Sequence, residues 1–222
     1  MKTTLKLLSA VAVLAASQQA AAQRHPEQLN VNAQLLAAAR SGSEPAVRDL
    51  LARGADPNSR NRLGDTPLNL AARTGNVALA RTLLAHGAAP NRANLAGVTP
   101  LMSAAFAGSA EIVRLLLAAK ADAKAADRTH KTAVVYAAGE GRTEALAALL
   151  DAGVDVNQRY DADLTALMWA AGQGHLDTVK MLLARGAAVD GKDDRGKTAL
   201  QIAVEAGHAE VAEALRAAGA KR

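Results

Sequence analysis

The chain has 222 residues, no cysteine, one Trp, two Tyr and one Phe, and its 26 basic and 21 acidic side chains give a formal net charge of +5. The absence of cysteine excludes disulfides, a thiol nucleophile and a lipid-attachment cysteine. Charges of both signs alternate along the chain, without the basic stripe and stacking aromatics typical of nucleic-acid binders, so no nucleic acid is expected as a partner.

The first 22 residues have the organisation of a cleaved secretory signal. Lys2 and Lys6 give a positive start, residues 7–16 are apolar, and small residues at 20–22 precede a cleavage site after Ala22. The apolar run is too short to span about 30 Å of hydrocarbon. We therefore predict export without membrane insertion after cleavage. A Gram-negative periplasm is the expected destination, and secretion to the medium is the second choice.

After a short extension at residues 23–28, a 33-residue repeat occupies the chain. Threonine, glycine and leucine each recur at this interval: Thr66, Thr99, Thr132, Thr165, Thr198; Gly42, Gly75, Gly108, Gly141, Gly174, Gly207; Leu50, Leu83, Leu116, Leu149, Leu182, Leu215. A fixed period of this size predicts stacked helical units, each burying its apolar face against a neighbour. The repeat domain, 29–222, is divided into six copies at about 28–60, 61–93, 94–126, 127–159, 160–192 and 193–220.

Residues 61–93 show how one copy should fold. A turn leads to Thr66, whose hydroxyl suits an N-cap, and Pro67 takes the first helical position. Gly75 ends this short first helix. A second helix is predicted from Val77 to Ala85, with its leucines spaced along one buried stripe.

Three departures from the pattern carry predictions of their own. Lys120 stands where glycine closes the other second helices, at a cost of about 1 kcal/mol. The first copy has Ala-Gln-Leu at 33–35 in place of the Thr-Pro-Leu start. In the last copy Arg216 replaces the second leucine of a pair, which indicates a face that no further repeat covers.

The pattern resembles the ankyrin repeat. The resemblance rests on Thr-Pro-Leu at 66–68 and 99–101, on paired alanines such as 71–72, and on the closing Gly-Ala-Asp-Pro-Asn at 54–58. It implies an all-α ankyrin-repeat solenoid of six helix–turn–helix repeats with short β-turn or hairpin connections. It also implies a non-catalytic protein–protein interaction scaffold.

Motifs that could carry chemistry are explained by the repeat. Residues 191–198 satisfy the P-loop pattern G-x-x-x-x-G-K-[ST], but they lie in register with the other turns, and Asp193 and Asp194 would repel phosphate. His175 and His208 occupy equivalent positions one layer apart, near 10 Å, too far to share a metal. We therefore predict no catalytic residue, no cofactor and no metal site.

Positions that differ between copies are free of the demands of stacking, so we expect them to bind a partner on the concave face and turn tips. The predicted partner-binding residues are Arg62, Asp65, Arg73, Leu95, Val98, Phe106, Arg128, Lys131, Asp161, Leu164, Gln173, Arg195 and Lys197. The apolar members would form a central patch rimmed by charge, as protein interfaces often do; an ordinary surface with scattered apolar residues is the alternative.

Three aromatic residues carry predictions of their own. Phe106 is predicted to be an exposed anchor near the end of a first helix, at the position of Arg73 and Gln173. Tyr136 and Trp169 lie one repeat apart at one repeat position. Either they pack within the core or they form an aromatic contact platform, and the residues alone leave both open.

The resemblance to exported bacterial ankyrin-repeat proteins implies a periplasmic accessory factor that binds another exported protein through its concave groove. The alternative is a secreted effector, or a toxin-neutralising protein, acting on a host or competitor protein. A monomer is expected. The partner is a protein of unknown identity in either case.

Overall fold

The computed structural model describes residues 30–221, and this part of the chain consists of paired α-helices without β-strands. The predicted signal 1–22 and extension 23–28 lie outside the described residues. The helices are α1 (residues 30–41), α2 (Glu44–Ala52), α3 (Pro67–Arg73), α4 (Val77–Ala85), α5 (Pro100–Ala107), α6 (Ala110–Ala118), α7 (Ala133–Gly139), α8 (Thr143–Asp151), α9 (Ala166–Gly172), α10 (Leu176–Ala184), α11 (Ala199–Glu205) and α12 (Ala209–Ala217). The pairs confirm the predicted helical repeat solenoid.

Threonine side chains start the first helix of each pair from the second repeat onward. Each hydroxyl accepts a hydrogen bond from the backbone amide three residues later, as predicted for an N-cap: Thr66, Thr99, Thr132, Thr165 and Thr198. Such a cap is worth about 1 kcal/mol. Because the signal is local in sequence, these helix starts could be predicted from one repeat alone.

The ends of the second helices follow the predicted chemistry as well. Gly87 closes α4 with φ at 83°, in the left-handed region that glycine adopts without penalty. Lys120 takes the equivalent position after α6 with φ at 66°, so the predicted strain at this lysine is present in the structure. Within α12, Arg216 is exposed beside the buried Leu215, as expected for a charged side chain at this position.

Alanine allows the layers to approach closely. The first helices α3, α5, α7, α9 and α11 pack side by side, and the second helices form a parallel outer layer. The paired alanines of the inner layer are fully buried, including Ala71, Ala72, Ala104 and Ala105. Leucines of the outer layer, such as Leu83 and Leu116, fill the space between the layers. The result is one continuous apolar core running along the stack.

Asparagine side chains tie successive connections to one another. The Asn58 amide donates to the carbonyl of Gly87 at 3.1 Å, and its oxygen accepts from the amide of Ala89 at 2.7 Å. Asn91 and Asn157 each make the equivalent pair of bonds to the repeat that follows them. Arginines add a second tie, since Arg60 and Arg159 donate to carbonyls 33 residues ahead.

One junction lacks these ties. Lys124 occupies the position of the asparagines and Ala126 that of the arginines, so among the described residues neither side-chain bond reaches the connection at 152–163. That connection contains a 3-10 turn at Asp161–Asp163, with Ala162 and Asp163 both at positive φ. A groove of about 750 Å³ opens between the two connections. The hairpin side of the stack is therefore least connected between its third and fourth repeats.

Candidate functional site

The variable positions meet on one surface, formed by the exposed ends of the first helices and the turn residues that face them. We call this surface the groove face. Each turn position is equivalent in register to the others, and each is followed eight residues later by a helix position. We call these the facing pairs: Asp65 and Arg73, Val98 and Phe106, Lys131 and Gly139, Leu164 and Gly172, Lys197 and Glu205. The first and last of these pairs are ion pairs, at 3.4 and 2.5 Å.

Asp65 is a correction to the predicted binding residues, because its side chain is 1% exposed. One carboxylate oxygen accepts from the Asn94 amide at 2.8 Å, and the other accepts from Asn61 and pairs with Arg73. The aspartate thus joins the turns of two successive repeats. A partner could not reach it.

Gln173 is a second correction, because it is not equivalent to Arg73 and Phe106: its position lies one residue later in the repeat. Gln173 is exposed as the C-cap of α9, but the position equivalent to Phe106 is Gly172 in that repeat and Gly139 in the repeat before. Two successive repeats therefore have no side chain where Arg73 and Phe106 stand in the earlier ones. This absence shapes the middle of the groove face.

An aromatic cluster lies next to these glycines. The Phe106 ring is 44% exposed and meets the Tyr136 ring edge to face, with centroids 6.0 Å apart and planes at 82°. The Lys131 ammonium lies 5.9 Å from the Tyr136 centroid and 5.8 Å from the Trp169 centroid. Tyr136 and Trp169 are both half-buried against the core, so each combines packing with an open aromatic face. Packing against the core is therefore confirmed, and a role as an aromatic contact platform stays a prediction.

Hydrogen bonding fixes the orientation of Tyr136. Its hydroxyl donates to the Asp127 carboxylate at 2.6 Å. Burial would raise the pKa of Asp127, but the hydrogen bonds from Tyr136 and from backbone amides outweigh burial and lower it. Burial, together with the same carboxylate, raises the pKa of Tyr136 to about 12. The phenol is therefore a neutral donor to an ionised acceptor at neutral pH.

A cleft of about 130 Å³ lies where the side chain at position 139 would stand. We call it the Gly139 cleft, and it is lined by Lys131, Val135, Tyr136, Gly139, Glu140, Trp169 and Gln173. A Cβ built on Gly139 would meet the Trp169 ring at 3.8 Å, an ordinary contact. At Gly172 the same construction meets Ile202 at 3.1 Å, so that position is already partly filled.

The other predicted residues are divided between tips and core. Arg62, Arg128 and Asp161 are exposed at the turn tips, and Arg195 is held there by two hydrogen bonds to the buried Asp193. Val98 and Leu164 are half-buried against the core, whereas Leu95 is 54% exposed. The predicted continuous apolar patch is thus reduced to separate exposed residues.

Two exposed apolar residues escaped the prediction. Leu63 is 62% exposed at a turn tip. Its position varies between copies, as the predicted partner-binding positions do, so the sequence pattern also points to Leu63. Val204 is 51% exposed in α11. It occupies the second position of the alanine pair, which is buried in earlier repeats and is uncovered only at the end of the stack.

The functional groups of the P-loop-like segment are engaged in the repeat turn. The Thr198 hydroxyl caps α11 by accepting from the amide of Gln201, and the Lys197 ammonium pairs with Glu205. The two histidines tie neighbouring repeats, as expected for structural residues. His175 bonds the carbonyl of Gly139 at 2.9 Å, and His208 bonds that of Gly172 at 3.1 Å.

Two features are absent from residues 30–221. These residues contain no group of three or more His, Asp or Glu side chains placed to hold a metal ion. None of their helices is both long and apolar enough to cross a bilayer.

Comparison with known proteins identifies the family. A family model described as ankyrin repeats in three copies matches residues 35–127, 91–160 and 134–221. The chain is also similar to the crystal structure of the human ASB11 ankyrin repeat domain, with 32% identity, a TM-score of 0.77, and 84% of each chain covered. No curated protein sequence matches the chain. With the repeat pattern, the helix pairs and the family match in agreement, the chain belongs to the ankyrin-repeat family.

Proposed function

We propose that the protein is a non-catalytic scaffold that binds another exported protein through its groove face and acts in the periplasm as an accessory factor. The observation that carries the proposal is the Phe106 ring, which stands 44% exposed on the groove face. Aromatic residues and arginine are enriched at protein interfaces, where a few such side chains contribute most of the binding energy. Ankyrin repeats in general are protein–protein interaction scaffolds, which supports the same class of function.

The charge around Phe106 suits a protein partner. Arg73 and Lys131 lie on the flanking repeats, and half-buried Val98 faces Phe106 from the turn. An apolar centre with a polar rim is the usual composition of such interfaces. Because the scaffold's helices are tied by buried packing, this surface is preorganised and loses little conformational entropy on binding.

The periplasmic location rests on the signal-like sequence at residues 1–22, which lies outside the described residues. Cell fractionation distinguishes the two destinations. Mature protein in the periplasmic fraction supports an accessory factor, whereas accumulation in the medium would favour the secreted effector or toxin-neutralising alternative.

Affinity purification from periplasmic extract tests the binding surface. We expect Phe106→Ala and Arg73→Glu each to abolish recovery of a partner that the wild type retains, with unchanged helicity. Arg114→Glu is the matched control, since Arg114 is exposed on the outer helix α6. Recovery that survives both groove-face changes would show that this surface is wrong.

A further inference from the structure

We infer that the Gly139 cleft receives a carboxylate side chain from the partner protein, so that an aspartate or glutamate is the partner's anchor beside Phe106. This inference rests on the proposed function and adds the chemistry of the bound residue. It starts from the facing pairs of the groove face. In the second repeat Asp65 pairs with Arg73, and in the sixth Lys197 pairs with Glu205.

The fourth repeat has only one half of such a pair. Lys131 and Gly139 are equivalent to Lys197 and Glu205, but glycine supplies no carboxylate. Within the described residues no acidic group lies within 4.0 Å of the Lys131 ammonium. Lys131 supplies the cation, and a carboxylate that paired with it would lie in the Gly139 cleft.

The surroundings of Lys131 favour an anion. The ammonium is held near two aromatic faces, at 5.9 and 5.8 Å, which stabilise a cation while displacing part of its water. An ion pair formed where water is partly excluded is stronger than one on an open surface. Lys131 is also held in place before binding, which reduces the entropy lost on pairing.

The size of the cleft suits a glutamate-length side chain. In the sixth repeat, Glu205 reaches Lys197 at 2.5 Å from the position equivalent to Gly139. A side chain entering from a partner would occupy the same space, and the contact distance at Gly139 shows that the space is open. The equivalent space at Gly172 is narrowed by Ile202 and faces Leu164, so it offers no cation.

Glu140 also lines the cleft and opposes an incoming carboxylate. It is exposed at the end of α7, where water screens its charge more than at the half-buried Lys131. The two charges therefore act with unequal strength on a group inside the cleft. Glu140→Gln tests whether a carboxylate enters the cleft, because removing the repulsion from Glu140 should strengthen binding of an acidic side chain.

The experiment selects displayed random 12-residue peptides on the full chain purified after export. Each selected acidic peptide is then compared with its Glu→Gln or Asp→Asn form by following Trp169 fluorescence, since this is the only tryptophan. We expect acidic residues to be enriched and amide replacement to raise Kd about tenfold. Lys131→Gln should remove that difference. Lys180→Gln, the same charge change on the outer helix α10, should preserve it.

Gly139→Glu is the second variant, and it should block the cleft by supplying the missing carboxylate from within the chain. Selected peptides that bind through Phe106 without acidic preference, and without sensitivity to Lys131→Gln or Gly139→Glu, would overturn this inference and leave the proposed function intact. Failure of every peptide, combined with partner recovery that ignores Phe106→Ala, would overturn both. Tighter binding to Glu140→Gln would further support the cleft.

Discussion

Replacing Lys124 by asparagine should supply the missing tie between the third and fourth repeats and stabilise the protein. Asn58, Asn91 and Asn157 each make two such bonds, at 3.1 and 2.7 Å in the case of Asn58. Each such bond contributes about 0.5–1.5 kcal/mol net, and exposure places these at the lower end. Lys124→Asn should therefore add about 1 kcal/mol to the free energy of unfolding.

Thermal unfolding followed by circular dichroism measures this gain. For a domain of this length, 1 kcal/mol corresponds to a rise in Tm of about 2–4 °C. Hydrogen exchange gives a local measure, because the new side chain should accept from the backbone amide of Asp155, the equivalent of Ala89. Lys124→Ala is the control: it removes the lysine without supplying a carboxamide, so it should gain neither stability nor protection. If Lys124→Asn behaves like Lys124→Ala in both measurements, the asparagine ties do not stabilise the stack and the reasoning is refuted.

Three further predictions concern single side chains. Lys120→Gly should raise the free energy of unfolding by about 1 kcal/mol, since it relieves a left-handed residue; a loss of stability in chemical denaturation would contradict this. Tyr136→Phe should lower the free energy of unfolding by about 1.5–3 kcal/mol at pH 7, because it removes a hydrogen bond to ionised Asp127. Tyr160→Phe should leave the free energy of unfolding unchanged, because the Tyr160 hydroxyl is buried without a partner among the described residues. Equal Tm changes for the two variants would refute the distinction. Burial, with Asp155 nearby, raises the pKa of Tyr160 to about 12. The unfolded phenol, with an ordinary pKa of about 10, ionises first, so the free energy of unfolding falls as pH rises from about 10 towards 12. Tyr160→Phe should therefore show a shallower alkaline loss of stability than the wild type, and an unchanged profile would count against it.

Local sequence signals predicted the helices well because their causes are local. The threonine caps, the proline after Thr66 and the glycine after α4 each act within a few residues. The prediction of α4 as Val77–Ala85 matches the structure for the same reason. The exposure of Arg216 was also predictable, since a charged side chain at a stacking position indicates that no neighbouring helix covers it.

Features that depend on two repeats at once were harder to predict. Asp65 looks like a free turn residue until the next repeat places Asn94 at 2.8 Å from its carboxylate. The Gly139 cleft exists because position 139 has no side chain. Aligning Gln173, and not Gly172, with Phe106 concealed the glycines at this repeat position. Alignment of Lys131 and Gly139 with Lys197 and Glu205 could have found the unpaired cation from sequence alone.

The junction at Lys124 shows a related difficulty. The sequence displays asparagine at 58, 91 and 157 with lysine between them, but the pattern acquires meaning only when each carboxamide is seen bridging two loops. The groove that opens there follows from the missing bridges. Variation between copies therefore has two different causes, partner binding and repeat-to-repeat ties, and only contacts distinguish them.

Site-specific photo-cross-linking measures most directly whether the groove face binds a protein. A photoreactive phenylalanine is placed at Phe106 or Gln173 on the groove face, and at Arg114 or Lys180 on the outer helices. We expect one discrete protein adduct from the groove-face positions in intact cells, lost on Lys131→Gln, and none from the outer positions. Adducts from the outer helices with none at Phe106 would contradict the proposed binding surface.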